Sequence, residues 1–455
     1  MSLESLEQSL LSQVQQRPRF DVCGRVQRAA GLILEASGVN SRVGGRCVLE
    51  LPEGRIPAEV VGFSGERSFL MPLAPLHGVF PGACVLPVDH EQMPSGEDLL
   101  GRVVNALGQP LDGRDLKATR SRSTLPTATP INPLDRRPIS ETLDVGVRSI
   151  NGLLRVGVGQ RIGLFAGSGV GKSVLLGMLA RFASADVVVV GLIGERGREV
   201  KEFVEDNLGA GLSKSVVVAS PADESPALRL RGAALATEIA EGFRARGKRV
   251  LLLMDSLTRV AQAQREIGLA MGEPPTAKGY TPSVFTLLPR LVERSGQTQD
   301  GPGSITAFYT VLMEEDDLQD PVVDSARAIL DGHFVLSRRL ADRGHYPAID
   351  VEASISRLMT KLTTPEEHRR AMRFRELWSR YIEQEDLINV GAYQAGSDPD
   401  TDQAIALNTA FREFLQQAPD ERVDLSGALS ALTALFAQPV QQVARSEGEI
   451  DPAEA

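Results

Sequence analysis

Lys172 and Ser173 close the run Ala166-Gly167-Ser168-Gly169-Val170-Gly171-Lys172-Ser173, a spacing suited to holding a polyphosphate. Glycine-rich backbone wraps the anion with N–H groups, the lysine ammonium reaches the outer phosphates, and the serine hydroxyl ligates Mg²⁺. The run departs from the strict phosphate-loop pattern once, since Ala166 stands where the first glycine belongs. Gly167, Ser168, Gly169, Val170, Gly171, Lys172, Ser173 and Val174 are the expected contacts to ATP. A loop of this kind only binds. Hydrolysis also needs a metal, a polarised water and neutralisation of charge on the transferring phosphoryl group.

Two further segments offer carboxylates. Val250-Leu251-Leu252-Leu253-Met254-Asp255 is an apolar strand ending in an acid. Such an Asp projects from the carboxyl end of a sheet, where α/β ligands bind, and suits Mg²⁺ directly or through water. Ser256 or Thr258 then caps the next helix. A second apolar stretch, Val187 to Ile193, runs into Gly194-Glu195-Arg196-Gly197-Arg198-Glu199. Glu195 suits a base that polarises water and Glu199 an outer partner of the metal; the same residues equally suit the opening of a surface helix. Arg357, in Ala353-Ser354-Ile355-Ser356-Arg357, is by spacing one arginine among many.

These residues need a scaffold. The phosphate loop lies between a short apolar strand and the helical stretch Val174-Leu175-Leu176-Gly177-Met178-Leu179-Ala180, an order that aims a helix N-terminus at the anion. From about 143 to 360, apolar strands at 161–166, 186–193, 215–220, 250–255 and 305–312 alternate with helical stretches. That alternation predicts an α/β fold, a parallel sheet with helices on both faces. Segments 46–51 and 58–63, broken by Gly, Pro and Asn turns, predict a small antiparallel barrel over 19–92. The core is expected over 93–363, with an extended Pro-, Thr- and Arg-rich connection at 118–138. A helical C-terminal domain is expected over 364–440, where Met372, Leu377, Tyr381, Ala404, Leu407, Ala410, Phe411, Phe414, Leu425, Leu429 and Leu432 read as core. The tail 441–455 reads as disordered. Residues 1–18 carry Leu3, Leu6, Leu10, Leu11 and Val14 at helical spacing, an amphipathic helix that docks on its own chain or on a partner.

Bulk properties exclude other classes. The 455 residues carry 49 basic and 59 acidic side chains, a net charge of −10, against a nucleic-acid binder. The basic cluster from His368 to Arg375 is flanked by Glu366, Glu367 and Glu376 and reads as a solvated helix face. Cys23, Cys47 and Cys84 lack C-x-x-C spacing and suit a reducing compartment. Five scattered histidines argue against zinc. Glu4 and Glu7 spoil a signal-peptide pattern, and no apolar run reaches membrane-spanning length, so the chain is expected in the cytoplasm.

The phosphate loop, Gly194 to Glu199, Leu253-Met254-Asp255-Ser256-Leu257-Thr258-Arg259, Gly272-Glu273-Pro274-Pro275 and Tyr346-Pro347-Ala348-Ile349-Asp350 occur in one order. Together, from about 24 to 440, they resemble the rotary-type ATPases and, more narrowly, the type III secretion ATPases. Asp324-Ser325-Ala326-Arg327-Ala328-Ile329-Leu330-Asp331-Gly332-His333 looks like the flagellar rather than the injectisome form. The resemblance implies a RecA-like P-loop core with a small N-terminal barrel and a helical C-terminal domain. It implies an ATPase with Mg²⁺ that energises export of flagellar proteins as a homohexameric ring. It places the general base at Glu195, counts Arg196 beside it and Lys172 and Asp255 with the catalytic set, and makes Arg357 the arginine given to the neighbour's nucleotide. Tyr346 would pack on adenine; Ser173, Glu199 and Asp255 would serve the metal. Implied partners are a dimeric negative regulator at the N-terminal helix, a coiled-coil central stalk, the export gate and chaperone–cargo complexes, with peripheral placement at the inner face of the cytoplasmic membrane. Other readings are an injectisome ATPase, a catalytic subunit of a proton-linked rotary ATPase, a nucleic-acid motor and a scaffold without turnover. The barrel's Phe20, Phe63, Phe69 and Phe80 lack the basic interleaving that base stacking needs.

Overall fold

The computed structural model describes residues 23–88, 96–116, 131–299, 301–313 and 320–437. The expected N-terminal helix, the tail 441–455 and residues 117–130 of the Pro-rich connection lie outside the described residues.

Short strands with alternating burial build the first unit. β1 (Gly24–Ala30), β2 (Ile33–Ser37), β3 (Arg46–Leu51), β4 (Gly54–Ser64), β5 (Arg67–Pro72) and β6 (Cys84–Pro87) close into a barrel in the order β1-β2-β5-β4-β3-β6. Every pairing is antiparallel. Period-two burial fills it with Leu34 and Ala36, Cys47 and Leu49, and Ile56, Ala58 and Val60. The unit also takes in 224–228 and 266–274 from later in the chain. Gly62 is the point of close approach: a Cβ there would lie 3.3 Å from the Met271 side chain.

The second unit is a large sheet with its helices. β7 (Arg102–Asn105) is an edge strand, and β8 (Thr142–Leu143) with β9 (Val156–Gly157) forms a separate two-stranded piece. Then follow β10 (Arg161–Ala166), β11 (Val187–Ile193), β12 (Ser215–Ser220), β13 (Arg249–Asp255), β14 (Gly296–Gln297), β15 (Ser304–Leu312), β16 (Gly332–Leu336) and β17 (Ile349–Ser356). The order is β17-β16-β10-β15-β13-β11-β12-β7, with β14 beside β15. All pairings along this path are parallel except β16 with β17. Central strands such as Val187–Ile193 are buried along their whole length, as β-branched strands covered on both sides must be.

Alternation within these strands divides two cores. Val188, Val190, Leu251 and Leu253 face Leu175, Leu176 and Leu179 of the helix Lys172–Phe182. Val187, Val189, Val250 and Leu252 share the other core with helix residues Ala236, Phe243, Val284 and Val323.

The C-terminal helices Pro365–Asn389, Pro399–Leu415 and Leu425–Ala437 join the first core. The first of them begins with a capping box, Thr364 with Glu367. Phe374 and Phe411 meet with ring centroids 4.4 Å apart, and Phe414 lies 5.3 Å from Phe374. One expected core residue is corrected: Met372 is 50% exposed. The inward phase runs through Ala371, Phe374, Leu377, Trp378 and Tyr381, one residue off Met372. Phe411→Ala is therefore expected to cost about 3–5 kcal/mol in urea unfolding, and Met372→Ala within about 0.5 kcal/mol. Equal costs would contradict the packing.

Candidate functional site

The loop after β10 turns from buried strand to exposed backbone at Ser168 and Gly169. Ala166 ends β10 fully buried, its carbonyl accepting from the Met313 amide at 3.0 Å. It is strand, with no positive φ, so the missing glycine costs nothing there. Gly169 (φ 76°) and Gly171 (φ 84°) do need the left-handed region. A Cβ on Gly169 would meet nothing within 4 Å, so the cradle opens outward. Gly171 caps the helix Lys172–Phe182 with no side-chain bond, leaving the first-turn N–H groups for an anion.

Lys172 begins that helix and points back across the strand ends. Its Nζ donates to Glu195 Oε1 at 2.8 Å and to Asp255 Oδ1 at 2.6 Å. The register explains the meeting. β11 and β13 are neighbours with Leu192 opposite Asp255, so Glu195 leaves the sheet beside that carboxylate. β15 lies between β13 and β10, and its buried Thr310 donates through Oγ1 to the same Asp255 Oδ1 at 2.6 Å. Asp255 is 2% exposed.

Burial is the largest influence on Asp255 and lifts its carboxyl above the usual aspartate range, with Lys172 and Thr310 pulling the other way. Burial pulls Lys172 down, but Asp255 and Glu195 together outweigh it and hold the ammonium above its ordinary range. Lys172 is thus the fixed charge of the site. One ammonium against two carboxylates suits a further cation. Among the described residues no three His, Cys, Asp or Glu side chains form a metal cage. The Asp255 carboxylate at the strand ends suits Mg²⁺, which takes one or two carboxylates and completes its shell with phosphate and water.

The other expected residues stand around this cluster. Tyr346 is 43% exposed, with its ring 3.3 Å from where a Cβ on Gly171 would lie. Arg196 is exposed and pairs with Glu199 at 3.8 Å; the pair lies on the surface, apart from the bonds that Lys172 makes. Ser173 and Val174 occupy the first turn after the loop. Arg357 is exposed, its Nη2 donating to the Arg327 carbonyl at 2.9 Å, and it has no bond to the Lys172 cluster. Ser256 accepts from the Arg259 amide at 3.3 Å as a helix cap, whereas Thr258 accepts from the Leu312 amide at 2.8 Å and ties the helix Leu257–Ala270 to β15.

Two residues escaped sequence reasoning. Thr310 had one signal, a hydroxyl inside an otherwise apolar buried strand. Arg338, whose Nη2 donates to the loop carbonyl of Ser168 at 3.1 Å, had none, because only the parallel pairing of β10 with β16 brings it there.

The nucleotide-binding domain of the ATP synthase alpha/beta family matches residues 146–356, and the C-terminal domain of the type III secretion ATPase EscN matches 363–434. Among similar relatives is a flagellum-specific ATP synthase of Pseudomonas aeruginosa, 59% identical over 421 residues, covering 91% of this chain and 93% of the relative. That of Salmonella typhimurium is 58% identical over 426 residues, with coverages of 91% and 93%. That of Bacillus subtilis is 48% identical over 433 residues, with coverages of 94% and 98%. Among solved structures, the assembled ATPase EscN of the enteropathogenic E. coli type III secretion system superposes with a TM-score of 0.84 at 41% identity, covering 90% of this chain and 99% of that one. EscN in complex with its central stalk EscO gives a TM-score of 0.81 at 42% identity, with the same coverages.

Lys172→Met would leave two carboxylates facing each other without a cation. The nucleotide-free protein is then expected to lose about 3 kcal/mol in urea unfolding. Lys172 pulls the Asp255 pKa down against burial, so in the variant that pKa rises further above its unfolded value and the folded variant takes up a proton at higher pH than the parent does. The deficit should therefore shrink as pH falls from neutral toward the carboxylate range. A deficit that is absent, or that widens with acid, would count against the bridge.

Proposed function

We propose a function from one premise: this chain belongs to the ATP synthase alpha/beta family, among the flagellum-specific ATP synthases. It hydrolyses ATP to energise export of flagellar proteins through the type III secretion apparatus, working as a homohexameric ring. The observation that carries this is Lys172 bridging Glu195 and Asp255 at the mouth of the phosphate loop.

The chain's residues divide the work. Backbone N–H groups of Gly167 to Val174 hold the triphosphate, and Tyr346 covers the adenine. Lys172 turns from the carboxylates to the outer phosphates as they arrive. Glu195, released by that turn, accepts a proton from water as its oxygen forms a bond to the γ-phosphorus. The bond from that phosphorus to the bridging oxygen breaks, and ADP leaves with the electron pair. Ser173 and Asp255 would hold Mg²⁺, with Glu199 as an outer partner and Arg196 next to the base in the chain; the ion would supply neutralisation of phosphate charge. Arg357, exposed and without a bond to its own subunit's Lys172 cluster, serves a neighbour's nucleotide on this reading. One subunit alone then lacks a stabilising cation.

The partners follow the same reading. EscN has been solved assembled and with a central stalk, which supports a ring around a coiled-coil stalk here. The N-terminal helix binds a dimeric negative regulator, and the ring receives chaperone–cargo complexes beneath the export gate, at the inner face of the cytoplasmic membrane. No helix among the described residues is long and apolar enough to cross a membrane. An injectisome ATPase is the second reading, favoured by the likeness to EscN but at 41% identity against 59% for the flagellum-specific relative.

Glu195→Gln is expected to keep ATP affinity within about twofold while stopping turnover, the split that loss of a proton acceptor produces. Parallel loss of binding would make Glu195 structural. Arg357→Ala should lower turnover on the order of 10³-fold. Mixing it with Glu195→Gln subunits should restore part of the activity, because some seams regain both groups. Absence of any recovery across mixing ratios would contradict a shared site.

A further inference from the structure

Tyr346 lies on the short connection between the helix Arg338–Asp342 and β17. That connection is held by the C-terminal helices. Arg343 Nη1 donates to both carboxylate oxygens of Glu385, at 2.7 and 3.0 Å. Glu385 belongs to the helix Pro365–Asn389, its side chain is 10% exposed, and a second cation, Arg412 of the helix Pro399–Leu415, stands 3.7 Å away. The second tie is direct: the Gln417 amide donates to the Tyr346 carbonyl at 3.0 Å.

Gln417 is itself fixed. Its Oε1 accepts from the Arg148 amide at 2.7 Å, and its Nε2 donates to the carbonyls of Gly146 at 2.9 Å and Glu421 at 2.7 Å. A buried amide with these three bonds has little freedom to shift. The backbone on both sides of Tyr346 is therefore gripped by elements of the C-terminal helices, and the ring so held lies beside Gly171.

We propose that Glu385 and Gln417 are positioning residues for nucleotide binding: through Arg343 and the Tyr346 carbonyl they hold the Tyr346 ring over the end of the phosphate loop, so the C-terminal helices set the affinity for the adenine end of ATP. This rests on the reading of Tyr346 as the adenine contact. The phosphate end is held by other contacts: Lys172 by Glu195 and Asp255 at the ends of β11 and β13, and the loop by β10 and by Arg338, whose bond to the Ser168 carbonyl does not involve Glu385 or Gln417. A shift of the C-terminal helices changes base affinity and leaves phosphate affinity alone.

The test titrates full-length protein with a non-hydrolysable ATP analogue and, separately, with inorganic tripolyphosphate, both with Mg²⁺. Arg343→Met, on a half-exposed side chain, and Gln417→Ala should each weaken the analogue about three- to tenfold and leave tripolyphosphate unchanged. Arg343→Lys should recover part of the loss. In a Tyr346→Ala background, Arg343→Met should add nothing further. Equal loss for both ligands, no loss for either, or full additivity with Tyr346→Ala would overturn the proposal. Should Gln417→Ala fail to fold, the Arg343 variants still decide it. Tyr346→Ala keeps the two claims apart: no effect from it refutes the adenine contact itself, whereas loss from it with none from Arg343→Met refutes only the grip.

Discussion

A single ammonium, Lys172 Nζ, faces two carboxylates across the ends of adjacent strands. Charges buried this deeply persist only when they are paired and hydrogen-bonded. The pairing dictates much of the architecture. β10 must stand close enough to β13 for the helix after the loop to reach Asp255, and β15 must fill the gap with a donor in place of an apolar side chain. Thr310 is that donor. The parallel registers of β10 with β15, β15 with β13 and β13 with β11 deliver all four residues to the carboxyl ends of the central strands. The arrangement also occupies the lysine proposed to hold phosphate, because it is bonded to Glu195 and Asp255, the proposed base and metal ligand.

The grip on Tyr346 places a second influence at the end of the phosphate loop, beside Gly171. One wall of the site is rigid sheet, and the other hangs from helices that share a continuous core with the sheet through Phe374, Phe411 and Phe414. That core is tight at the aromatic contacts and polar at the seam. Arg148 donates to the carbonyls of Glu413 and Gln416 there. A partner that moved the C-terminal helices would act on the pocket through hydrogen bonds whose ends are already defined.

Much of this was legible in the chain itself. The five long strands announce themselves as unbroken apolar runs, and three functional groups sit where those runs end: the phosphate loop after Ala166, Glu195 after Ile193, and Asp255. The loop's backbone followed from its glycines. Pairing between distant segments was not legible. β16 is short, and β16 and β17 include polar residues such as His333, Asp350 and Ser354, so neither forms an unbroken apolar run. Arg338 and Gln417 act through carbonyls, and any polar residue can meet a carbonyl; only the fold selects which. Met372 shows the limit of periodicity, since a helix phase one residue off exchanges an exposed side chain for a buried one. Glu199 follows from its segment rather than from a contact, and among the described residues its ion pair is with Arg196 at the surface.

Hydrolysis at this site depends on Lys172 changing partners when a triphosphate arrives. The direct measurement is a structure of the assembled protein with Mg²⁺ and a non-hydrolysable ATP analogue, read for the position of Lys172 Nζ. Nζ is expected within hydrogen-bond distance of the outer phosphates, with its bond to Glu195 broken and Arg357 of the adjoining subunit facing the γ-phosphate. A triphosphate bound elsewhere, or bound in the loop with the Lys172–Glu195 bond intact, would contradict it.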